Sequence, residues 1–145
     1  MEGITLEKRI LSTNDWGLVA MLHEGLIERF NECIESIKEK DYAKLNLLMD
    51  NCRDILTELI IIFNERDGLS TDLREIYLYT NTVITEGETR KDKSLFEKAK
   101  DIINPIYEGF KELEMKEEPT IISGLTYGKE KLGDYSTKSG KEFQV

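Results

Sequence analysis

The sequence has 145 residues, of which 39% are hydrophobic, 34% charged and 8% aromatic, with 20 basic against 29 acidic side chains for a formal charge of −9. That length and apolar content suit one soluble domain with its own core. The negative charge disfavours nucleic acid and anionic lipid as partners, and the densest basic cluster along the chain, Arg90, Lys91 and Lys93, is broken by Asp92.

Metal- and disulfide-built folds are excluded by counting. The two cysteines, Cys33 and Cys52, stand alone without CxxC spacing, and there is one histidine. Both cysteines fall on apolar stripes, which predicts free thiols packed as small hydrophobes. Met1 to Arg9 carries acids and no apolar core of a secretory signal, and no run approaches the roughly 18 apolar residues of a membrane span. A cytoplasmic protein without membrane insertion is expected.

Apolar spacing predicts four helices in chain order. In the first, Leu18, Leu22, Leu26, Phe30, Cys33 and Ile37 recur every three or four residues, with Thr13, Asn14 or Asp15 available as cap. The second repeats the pattern through Leu45, Leu48, Cys52, Ile55, Leu59, Ile62 and Phe63, with Asp41 as cap and Gly68 as its stop. Ser70 is the expected cap of the third, which carries Leu73, Ile76, Tyr77, Thr80, Val83 and Ile84 before Gly87 weakens it. The fourth starts near Asp92 and carries Leu95, Phe96, Ala99, Ile102, Ile103, Ile106, Phe110 and Leu113. Pro105 removes one backbone donor there and predicts a kink between Asp101 and Pro105.

Long helices with short connections pack antiparallel, so the fold class expected is all-α, an antiparallel up-and-down four-helix bundle. It spans residues 15–119, between an N-terminal segment, 1–14, and a loosely structured C-terminal tail, 120–145. The tail holds four lysines against Glu130, Asp134 and Glu142, which leaves the preceding part at −10. Its apolar residues Ile121, Ile122, Leu125, Tyr127 and Leu132 could lie in cis on an exposed groove. The Gly124 to Lys129 stretch carries no assignable chemistry. Several apolar arcs are wider than a bundle seam needs, which leaves either packing for the N-terminal segment or a groove for another helix.

No enzyme is expected, because nucleophile, base and orienting group do not cluster. His23 has no second imidazole, and Ala20 removes the E-x-x-H spacing of carboxylate-bridged metal bundles, so it reads as an ordinary helix-surface or groove residue. No metal and no cofactor are expected. Gly25 inside a helix costs about 1 kcal/mol relative to alanine, which suggests close approach of another helix, within the bundle or from a partner. Tyr42, Tyr77, Tyr79 and Tyr107 suit core edges and interfaces equally.

Five stretches in order, Leu18 to Leu26, Lys40-Asp41-Tyr42, Asp54 to Leu59, the Tyr77 and Tyr79 pair, and Lys91-Asp92, resemble the flagellar secretion chaperone family FliS over roughly Leu11 to Leu113. Relatives often have Leu-Tyr-Asp-Gly where this chain reads Leu22, His23, Glu24, Gly25. They often have an arginine pair at Asn81 and Thr82, and tryptophan at Phe110. The resemblance implies a cytoplasmic export chaperone that binds the C-terminal segment of flagellin, prevents early polymerisation and assists delivery to the flagellar export gate. The expected client surface is Leu18, Leu22, Gly25 and Leu26 on the first helix, Tyr42, Leu48, Cys52 and Ile55 on the second, and Tyr77. A general helical adaptor for a different amphipathic peptide fits the same physics.

Overall fold

The computed structural model describes residues 15–116. Four helices fill that range: α1 Asp15–Lys38, α2 Tyr42–Ile62, α3 Gly68–Arg90 and α4 Lys93–Met115. Residues 1–14 and 117–145 lie outside it, and with them the cap candidates Thr13 and Asn14, the cis-docking residues Ile121 to Leu132, and the Gly124 to Lys129 stretch. Among the described residues, Val19–Glu112 form one compact unit, and 15–18 and 113–116 belong to a second.

Aromatic contacts within the first unit fix the topology. Near one end, Phe63 after α2 meets Tyr77 of α3 at 6.3 Å and Phe110 of α4 at 5.7 Å between ring centroids, and the His23 ring of α1 joins both. Toward the other end, Phe30 of α1 meets Phe96 of α4 at 6.4 Å. Early α1 and α3 therefore lie beside late α2 and α4, as an antiparallel up-and-down four-helix bundle requires. Leu26, Phe30, Leu45, Met49, Leu59, Tyr77, Ile84, Phe96 and Ile103 are among its fully buried side chains.

The three connections follow local chemistry. α1 ends in Lys40 at φ 58°, where the Asp41 amide donates to the Ser36 carbonyl at 2.8 Å and the Lys40 amide to Ile37 at 3.0 Å, a Schellman close. Asp41 then caps α2, accepting from the Lys44 amide at 3.2 Å, as the sequence predicts. The α3 to α4 turn repeats the device: Lys91 has φ 53°, the Asp92 amide donates to Gly87 at 3.0 Å and the Lys91 amide to Glu88 at 3.3 Å. Asp92 accepts from the Ser94 amide at 3.0 Å.

The α2 to α3 junction corrects the sequence reading. α2 ends at Ile62, with Phe63 as its C-cap, and Gly68 is the first residue of α3 rather than the stop of α2. The cap of α3 is Asp67, not Ser70. Its carboxylate accepts from the Ser70 amide at 2.8 Å, and this bond holds the Asp67 carboxyl below its ordinary range. Arg74 closes the end of α2 by donating to the carbonyls of Phe63 and Glu65. Helix α4 continues through Pro105, which is exposed.

Gly87 does not weaken α3. It is buried, α3 runs on to Arg90, and a Cβ there would stand 2.9 Å from the Phe96 ring and 3.2 Å from Leu95 Cβ. The missing side chain lets the end of α3 approach the start of α4.

Candidate functional site

An apolar seam runs between α1 and α2. On α1, Leu22, Gly25 and Arg29 follow one another at three- and four-residue spacing. On α2, Leu48, Ile55 and Ile62 recur every seven residues, so each set shares one side of its helix. Leu22, Gly25 and Ile55 are half-buried, Leu48 is buried and Ile62 is 41% exposed. Gly25 and Ile55 meet directly: a Cβ on Gly25 would lie 3.8 Å from Ile55 Cδ1, an ordinary contact. Close packing within the described bundle therefore does not require glycine at position 25, in contrast to position 87.

The other expected client residues separate. Leu26, Cys52 and Tyr77 are wholly buried in the core. Tyr42 is exposed at the opposite end of α2 from Ile62, with the Lys91 ammonium 5.1 Å from its ring centroid. Leu18 is half-buried and belongs to the second unit. Sequence spacing placed all nine on one surface because stripe position alone does not separate the centre of an apolar arc from its edge.

His23 is neither a surface nor a groove residue. It is fully buried, with Nδ1 2.8 Å from the Val19 carbonyl and Nε2 2.7 Å from the Tyr77 hydroxyl, and its ring stacks on Phe110 at 5.4 Å and 19°. A carbonyl only accepts, so Nδ1 carries the proton and Nε2 accepts from the Tyr77 O–H. Burial lowers the His23 pKa, opposed by the Val19 bond, and burial raises that of the Tyr77 hydroxyl. The neutral tautomer gives both ring nitrogens of His23 and the Tyr77 hydroxyl proton a partner. Its spacing, four residues after Val19 and three before Leu26, was the signal available in sequence.

Cys33 and Cys52 are fully buried free thiols facing each other across α1 and α2. The hydrogen bond that the Cys52 thiol donates toward Cys33, then burial, holds Cys52 far above its ordinary range, so it stays protonated and unreactive. Tyr79 and Tyr107 lie on the outside or edge, each with a lysine over its ring, Lys98 at 5.5 Å and Lys111 at 5.0 Å. Among the described residues no group of three or more His, Cys, Asp or Glu side chains is arranged to hold a metal ion. No helix there is long and apolar enough to cross a membrane.

What the surface offers is aliphatic area beside a glycine on adjacent helices. The family model described as Flagellar protein FliS matches residues 3–117, and the chain belongs to this family of flagellar export chaperones. No curated protein matches it.

Proposed function

We propose that the chain is a cytoplasmic chaperone that binds the C-terminal segment of flagellin, keeps it from polymerising early and assists its transfer to the flagellar export gate. Family membership supports the chaperone role. The observation that carries the binding site is the half-buried seam of Leu22, Gly25 and Ile55, continued by the exposed Ile62. On this reading Leu22, Gly25 and Ile55 touch the client, and Leu26, Leu48 and Cys52 form the floor beneath them.

A segment that becomes helical on binding gains apolar contact that offsets the entropy of ordering it. No bond is made or broken, so the chemistry is shape and desolvation. Isothermal calorimetry with the flagellin C-terminal segment of the same organism tests the reading. Binding weakened about tenfold or more by Leu22→Ala or Ile55→Ala supports it. No binding of that segment by the full chain moves the assignment to an adaptor for a different amphipathic peptide.

A further inference from the structure

The second and fifth family-like stretches, Lys40-Asp41-Tyr42 and Lys91-Asp92, have no part in the α1/α2 seam, yet the fold brings them together. Antiparallel packing puts the α1 to α2 and α3 to α4 turns at one end, and the Lys91 ammonium sits 5.1 Å from the Tyr42 ring centroid. Both lysines occupy the left-handed region, with φ 58° and 53°. That conformation costs a side-chain-bearing residue about 1–2 kcal/mol and glycine almost nothing. Glycine would close both Schellman turns more stably, so what lysine adds at each is its ammonium group.

The carboxylates around these turns are mostly engaged. Asp41 and Asp92 cap α2 and α4, Glu35 pairs with Lys38 at 3.3 Å, Glu86 with Arg90 at 3.0 Å, and Glu88 with Arg53 at 3.4 Å. Of the nearby acids, Glu39 is exposed and makes no salt bridge among the described residues. Lys40, Lys44 and Lys93 are exposed and make none there either, while Lys91 donates to the Glu88 carbonyl at 3.0 Å and covers Tyr42. Four ammonium groups and an exposed aromatic edge thus gather at one end of a body whose first 119 residues sum to −10. Asp92, which interrupts this cluster in the sequence, turns its carboxylate to the Ser94 amide at 3.0 Å and to Arg90 at 3.7 Å, and the lysines around it stay without a salt bridge among the described residues.

We propose that this end of the bundle, Lys40, Tyr42, Lys44, Lys91 and Lys93, is a docking site for a short acidic protein segment, separate from the α1/α2 seam. A long polyanion or an anionic bilayer would extend onto the acidic flanks and be repelled there. A short acidic peptide can stay within the two turns, with the four lysines as its charge contacts and Tyr42 as its apolar contact.

The test is titration of the ¹⁵N-labelled full chain with a hexaglutamate peptide, following amide shifts. Shifts confined to residues 39–44 and 90–94, suppressed when salt rises from about 10 to 150 mM, are expected. The Lys40→Gly/Lys91→Gly variant should melt higher than the parent yet bind the peptide about tenfold more weakly, through loss of two charge contacts. Shifts elsewhere, or unchanged binding by the variant, overturn the proposal. Tighter binding of single-stranded DNA or phosphatidylserine vesicles to the same residues also overturns it, by assigning the end to a polyanion.

Discussion

His23 is held neutral by its surroundings, and this gives the fold a pH dependence with a definite sign. Burial lowers its folded-state pKa below the ordinary 6.5, so between the two values the unfolded chain binds more protons than the folded one. Stability conferred by the neutral ring is complete above about pH 7 and declines as pH falls through 6.5 toward the lowered value. Because this is the single histidine, no other imidazole contributes in that window. Urea midpoints at about pH 7.5 and 5.5 should differ, and His23→Gln should remove most of the difference while lowering stability at both. Two departures from the family pattern, His23 and Phe110, turn out to be stacking partners, a pairing sequence cannot reveal across 87 positions. The helix glycines give opposite predictions: Gly25→Ala should stabilise by about 1 kcal/mol, since its Cβ meets only Ile55 at 3.8 Å among the described residues. Gly87→Ala should destabilise by about 1–3 kcal/mol against the Phe96 ring. Chemical denaturation measures both. If Gly25→Ala also weakens flagellin binding, the glycine serves the client.

Helix identity was legible because apolar residues repeat every three or four positions, over about five turns in the first, second and fourth segments and about three in the third, a signal that single substitutions do not erase. Boundaries were legible where an acidic cap stands alone, as at Asp41, and illegible where signals compete. Gly68 can stop a helix or begin one, and only the Asp67 carboxylate on the Ser70 amide decides for the latter. The left-handed turns were hidden for a different reason: glycine announces such a turn, and Lys40 and Lys91 do not. Each should be improvable, Lys91→Gly raising stability by about 1 kcal/mol in thermal melts, because the Schellman bonds remain and the strain goes. Were Lys91 held in place by its ring contact with Tyr42 and its bond to Glu88 more strongly than strain opposes it, the variant would melt lower.

At the scale of the molecule, the bundle separates residues that periodicity merges. Leu26 and Ile55 are equally regular members of their stripes, but one is fully buried and the other half-buried. Leu26→Ala should therefore cost about 2–5 kcal/mol of stability, whereas Ile55→Ala should cost less and act more on binding. Charge was likewise legible as a total and not as a distribution, since Lys91 of one turn comes over Tyr42 beside another when the helices pack. The claim that joins fold to function is that the half-buried α1/α2 seam receives a segment of flagellin. Calorimetry of the full chain with the flagellin C-terminal segment, at several temperatures and with Ile55→Ala beside the parent, tests it most directly. The account predicts one-to-one binding with a negative heat-capacity change from apolar burial, weakened about tenfold by the substitution while the variant stays folded. Binding that is absent, or equally tight in Ile55→Ala, would contradict it.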